Sequence, residues 1–168
     1  TAPGETGRTL GEALLEPTRL YQKAVSRVLA IGGVHGIVHV TGGGLIENPP
    51  RVYHNDVTLL LDLATKSLPP IFSWLQAAGN IEIDELARTF NCGIGMLIFA
   101  APNSANNLLS ALVKGPEPDA WIVGKLIERK SQPAVILQNS KRMYSSSRNN
   151  ERVWIRKRSK WTKSIFNV

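Results

Sequence analysis

The chain has 168 residues, with 20 Lys/Arg against 13 Asp/Glu for a formal net charge of +7, and a single cysteine. That length suits one domain with a substantial core, and no apolar run approaches the roughly 20 residues that a membrane-spanning helix needs. Cys92 alone excludes an internal disulfide framework and any multi-cysteine metal site.

The charge is uneven. Residues 1–138 hold 11 Lys/Arg against 12 Asp/Glu, a net −1, whereas residues 139–168 hold 9 Lys/Arg against Glu151 alone, a net +8. The chain therefore reads as a near-neutral domain over 1–138 followed by a basic tail over 139–168. The opening TAPGETGRTLGEALL lacks the basic-then-apolar layout of a secretory signal. With the lone cysteine, this leads us to expect a reducing, cytoplasmic compartment and no membrane partner.

In chain order, PTRLYQKAVSRVLA (17–30) predicts a helix, with Leu20, Tyr21, Ala24, Val25, Val28 and Leu29 on one apolar stripe, Pro17 in its first turn and Gly32-Gly33 as its stop. GIVHVT predicts a short strand with Ile37, His39 and Thr41 on one face and Val38 and Val40 on the other. VTLLLDL predicts a second strand through Val57, Leu59, Leu61 and Leu63. PPIFSWLQAAG and IDELARTF predict two helices, with Phe72 and Trp74 in the core. GIGMLIFAA predicts a buried strand and NSANNLLSALVKG a helix. AWIVGKLIERK and PAVIL predict two more strands, with a hairpin turning at Ser131-Gln132-Pro133 as one possible connection. The mixed, non-alternating order favours an α+β fold, a mixed sheet with helices packed on it. The first part of the tail, rich in Ser, Asn and Arg, is expected to be mobile, and RVWIRKRSKW to pair as a strand or lie on a surface.

One stretch concentrates chemistry. HVTGGGLIENPPR (39–51) ends an apolar strand in three glycines, with an acid, an amide and an arginine close behind. Glycine reaches positive φ and lets backbone N–H groups approach a ligand, and successive N–H groups form a concavity that attracts phosphate or carboxylate. Arg51 can add a bidentate contact, and Glu47 and Asn48 can hold an amine, a ribose or a metal. The alternative is a tight bend packed beneath a neighbouring element. There is no phosphate loop of the G-x-x-x-x-G-K-[ST] kind and no dinucleotide fingerprint. His39 is either a core residue or an acid/base group beside the bend. His35 and His54 read as turn residues. In FNCGIGM, Asn91 either points its amide into a cleft or belongs to a tight turn, and Cys92 has no partner that would make it a nucleophile. No His/Asp/Glu cluster has metal-ligand spacing.

Taken together, GEALLEPTRLY, VHGIVHVTGGGLIENPPRV, IFSWLQAAGN and ARTFNCGIGM resemble, in this order and spacing, the C-terminal domain of aminoimidazole ribonucleotide synthetase, also called phosphoribosylformylglycinamidine cyclo-ligase, over roughly residues 7–130. The resemblance implies a three-layer α/β/α domain and a part in the fifth step of purine synthesis. There ATP activates the formyl oxygen of formylglycinamidine ribonucleotide, a nitrogen attacks, phosphate leaves and the imidazole closes. It implies ATP and Mg²⁺ as cofactors, bound mainly by an N-terminal ATP-binding domain that this chain does not include, and a homodimer in the complete enzyme. The chain alone is then expected to be inactive. By the same resemblance Thr41, Gly42, Gly43, Gly44, Glu47, Asn48 and Arg51 form the motif loop for substrate or phosphate. His39 and Asn91 are its catalytic neighbours, and Thr18 and Arg19 of EPTR are a second binding element. Pro49-Pro50 departs from the single proline usual in the family and puts the placement of Arg51 in question.

A competing expectation is a non-catalytic binding protein whose tail, with Trp154 and Trp161 among its cations, grips nucleic acid or an acidic partner.

Overall fold

The computed structural model describes residues 1–4, 7–139 and 163–167. Its elements are α1 (Leu10–Leu14), α2 (Gln22–Ile31), β1 (Val34–His39), α3 (Gly44–Glu47), β2 (Val57–Asp62), α4 (Pro70–Gly79), α5 (Ile83–Thr89), β3 (Met96–Ala100), α6 (Pro102–Val113), β4 (Trp121–Glu128), β5 (Val135–Gln138) and β6 (Lys163–Asn167). Short 3-10 turns cover Pro49–Val52 and Leu63–Thr65.

The strands form one mixed sheet in the order β1-β3-β6-β4-β2-β5. Alternation along β3 shows why it needs cover on both sides: Leu97 and Phe99 enter one apolar cluster, Met96, Ile98 and Ala100 the other. On the first face lie α3 and α5 through Leu45, Leu86 and Ala87, with Phe72 of α4 against Phe90 at 5.7 Å. On the second lie α2 and α6 through Ala24, Val28, Ala105, Leu108 and Leu112. The fold is α+β, with the sheet between two helical layers, as expected.

Five expectations change. The helix at 17–30 starts later, at Gln22, and α1 precedes it, opened by a Thr9–Glu12 capping box. Leu20 is 88% exposed and Leu29 57%, so the stripe narrows to the buried Ala24 and Val28, flanked by the half-buried Tyr21 and Val25. β4 and β5 make no hairpin. Both pair with β2, β4 antiparallel on one edge and β5 parallel on the other, so the chain crosses β2 between them. Trp74 stands 38% exposed on α4 while Phe72 reaches the core. His35 lies in β1 and not in a turn.

The basic tail divides. Residues 140–162, which carry Trp154, Trp161 and most of its cations, lie outside the described residues, so the expected mobility and nucleic-acid contact fall there. Residues 163–167, in contrast, are β6, antiparallel to both β3 and β4 in the middle of the sheet, with Ile165 fully buried. A strand hydrogen-bonded on both edges is part of the body whatever its charge.

Candidate functional site

The strand registers bring one end of the sheet together. His39 at the end of β1 stands opposite Met96 at the start of β3; Leu97 and Trp121 both stand opposite Asn167; and Asp62 at the end of β2 stands opposite Gln138. The glycine bend after His39, the Asn91–Gly95 turn before β3, the Leu63–Thr65 turn after β2 and the approach to Trp121 therefore all meet at this end. It is where loops can carry chemistry on a rigid scaffold.

The bend itself has a floor and a rim. Gly43 (φ +96) and Gly44 (φ +54) both take left-handed backbone. A side chain at Gly44 would strike the carbonyl oxygens of Ala87, Arg88 and Phe90, so its Cα rests directly on the end of α5. A methyl group at Gly42 would meet nothing within 4 Å, and Gly42 is exposed with Thr41. Asn48 holds the two parts in place. It is 3% exposed; its Oδ1 accepts from the Thr41 amide (2.7 Å), and its Nδ2 donates to the Gly42 carbonyl (2.8 Å). Its amide is thereby spent on the loop. Gly44 donates to the Thr41 carbonyl (2.9 Å), while the Gly42 and Gly43 amides have no hydrogen bond among the described residues. Glu47 is exposed and ion-paired with Arg88 of α5 at 3.3 Å. Arg51 is exposed on the 3-10 turn and makes no ion pair among the described residues.

His39 is exposed, not a core residue, and its ring meets Tyr21 edge-on at 5.6 Å. Asn91 resolves towards the tight turn: its Oδ1 accepts the Gly93 amide at 3.0 Å. Cys92 is 2% exposed with φ +51, and its thiol donates weakly to the Leu86 and Phe90 carbonyls. Burial pushes that thiol up to about 12, so it stays protonated and inert near neutral pH. Thr18 and Arg19 are exposed ahead of α2.

Beside this turn opens a cleft of about 240 Å³, lined among others by Arg19, Tyr21, Lys66, Gly93, Asp119 and Trp121. Lys66 lies 4.4 Å above the Trp121 ring and donates to the Asp119 carbonyl at 3.0 Å. Trp121 Nε1 donates to Thr65 at 2.9 Å. Burial raises the Tyr21 phenol pKa above its ordinary value. Sequence reasoning reached Arg19 but missed Lys66, Asp119 and Trp121. Their only local signal is position at strand ends, which means little until β4 is known to lie beside β2.

An α+β sheet between two helical layers, with a stapled glycine bend and a mixed-charge cleft at one sheet end, defines the kind of domain. Residues 2–136 match the family of the AIR synthase related protein, C-terminal domain, and the chain belongs to it. It is 46% identical over 136 residues to the "Trifunctional purine biosynthetic protein adenosine-3" of Drosophila melanogaster, covering 79% of this chain and 10% of that protein. It is 46% identical over 120 residues to the "Phosphoribosylformylglycinamidine cyclo-ligase" of Geobacter sulfurreducens, covering 71% of this chain and 34% of that one. With the human trifunctional protein it shares 39% over 140 residues, 82% of this chain and 14% of its relative. The chain thus spans about a tenth to a third of these relatives. Among the described residues no helix is long and apolar enough to cross a membrane.

Proposed function

We propose that the chain is the C-terminal half of a phosphoribosylformylglycinamidine cyclo-ligase, closing the imidazole of aminoimidazole ribonucleotide at the expense of ATP, and that it is inactive without an N-terminal ATP-binding domain. The names of the bacterial relatives support the reaction, and the share of them that the chain spans supports the half. The observation that carries the reading is the rim of the bend. Thr41 and Gly42 are exposed, Asn48 fixes them, and the Gly42 and Gly43 amides are left unpaired, a seat for an anionic substrate group that needs no reorganisation. In this reading His39 is a positioning or acid/base group at the same rim. Arg51 is close in sequence, but its exposed place on the 3-10 turn gives it no defined share.

Among the described residues no group of three His, Cys, Asp or Glu could hold a metal ion. No step through Mg²⁺ is therefore assigned to this chain, and its own residues bind, orient and exclude water. The complete enzyme would be a homodimer in a cytoplasmic setting.

The test is to join the chain to the N-terminal domain of the Geobacter relative and assay ring closure from formylglycinamidine ribonucleotide. Activity in the fusion, absent from either half, is expected. A silent fusion that folds, or turnover from the chain alone, overturns the proposal.

A further inference from the structure

Among the described residues one buried side-chain oxygen lacks a hydrogen bond: Oε2 of Glu117. Glu117 is 4% exposed and sits between α6 and β4. Its backbone is pinned on both sides, its amide donating to Leu112 (3.0 Å) and its carbonyl accepting from Ala120 (3.1 Å). A carboxylate at that depth is unfavourable unless a cation answers it. The cation is Arg19, whose Nη2 lies 2.9 Å from that Oε2, so the pair meets as charges without a hydrogen bond.

The two partners differ in exposure. The Glu117 side chain is 5% exposed and the Arg19 side chain 52%, and Arg19 lines the cleft. One end of the pair is anchored in the body and the other reaches solvent where a ligand would enter. A free arginine side chain loses its rotamer freedom when it meets a ligand, and that loss opposes binding. An anchored one presents its planar fork ready-made. The same segment carries Tyr21, which feels both charges and meets His39 edge-on.

We propose that Glu117 is a positioning residue, fixing the guanidinium of Arg19 at the cleft wall so that its remaining N–H donors meet an oxygen anion of the bound ligand, a phosphate or carboxylate. This deepens the cyclo-ligase reading and rests on it only for the statement that the anion belongs to the substrate. A neighbouring cation, Lys66, already meets the Asp119 carbonyl and the Trp121 ring, and Arg19 is the other cation lining the cleft.

The test uses the full chain, ¹⁵N-labelled, with inorganic phosphate as the probe and the Arg19 side-chain resonances as the readout. The wild-type chain is expected to show slow guanidinium rotation at Arg19 and a saturable shift with phosphate. Glu117→Gln should free the rotation and weaken phosphate binding about tenfold, because the guanidinium is no longer held at the cleft wall. Glu117→Asp, which keeps the charge, should recover part of both. Should Glu117→Gln fail to fold, Arg19→Lys serves. It keeps the charge and loses the fork, and the same weakening is expected. An Arg19 signal unmoved by phosphate in the wild type, or equal affinity in the folded variants, overturns the proposal. Phosphate binding that persists beside a silent fusion enzyme would remove the cyclo-ligase reading and leave this one standing.

Discussion

Gly42 and Gly44 sit two residues apart in the same bend and do opposite things. Gly44 lies against three carbonyl oxygens at the end of α5, in left-handed backbone, and is buried. Gly42 faces open space and is exposed. Absence of Cβ serves close packing at one and access at the other, so the two explanations that a glycine triplet invites are both correct, each for its own residue. The floor fixes the rim, and the rim is what a ligand can reach.

The largest effect belongs to the floor. Gly44→Ala puts a methyl group into backbone oxygens that cannot rotate aside, at a positive φ that alanine resists. Strain and overpacking together should cost about 3 kcal/mol or more. Denaturant unfolding should show the loss as a lower midpoint; an unchanged midpoint would mean that α3 and α5 are not packed as described.

Asn48→Ala comes next, because Asn48 ties floor to rim. It removes both hydrogen bonds, to the Thr41 amide and the Gly42 carbonyl, from a buried side chain. About 1–3 kcal/mol should be lost, with faster amide exchange at Thr41. Asn48→Asp keeps the acceptor for Thr41 but sets a buried carboxylate oxygen against the Gly42 carbonyl, and should lose at least as much. An Asp variant as stable as the wild type would mean that the donor half of the staple counts for nothing.

Much of this was legible in the sequence, and the division is physical. β2 was legible through the alternation of Leu59 and Leu61, and β3 through a continuous apolar run that a strand covered on both faces requires, and both are local patterns. The bend was legible as a bend. Which of its glycines is sealed was not, since the sealing atoms come from residues 87–90, some forty positions on. Lys66 and Trp121 meet only because β4 lies beside β2. Glu117 stands between Pro116 and Pro118, and nothing local says that it is buried against Arg19. β6 was hidden by its own neighbourhood: composition marked the tail as basic, but a strand slot between β3 and β4 is a non-local fact.

Cys92 tests the floor from the other side, since its thiol and Gly44 both abut the Phe90 carbonyl. Burial raises the thiol from 9.0 to about 12, so the folded state favours the neutral form. That contribution is complete below pH 9 and is lost as pH climbs towards 12, because the unfolded chain releases its proton first. Stability of the wild type should therefore fall above pH 9. Cys92→Ala should flatten the fall in part only, because Tyr21 and Tyr53 are also raised by burial. Identical slopes with and without the thiol would place it in water.

The smallest change in stability should carry the sharpest functional contrast. Gly42→Ala meets no atom within 4 Å and needs no positive φ, so its unfolding free energy should stay within about 0.5 kcal/mol of the wild type. The methyl group nevertheless stands where a ligand must approach the unpaired amides of Gly42 and Gly43. In the fusion enzyme the variant should raise KM for formylglycinamidine ribonucleotide and leave folding untouched, the reverse of Gly44→Ala. A Gly42→Ala enzyme with wild-type KM would show that the rim takes no part in binding, and the anion would then have to be sought at Arg19.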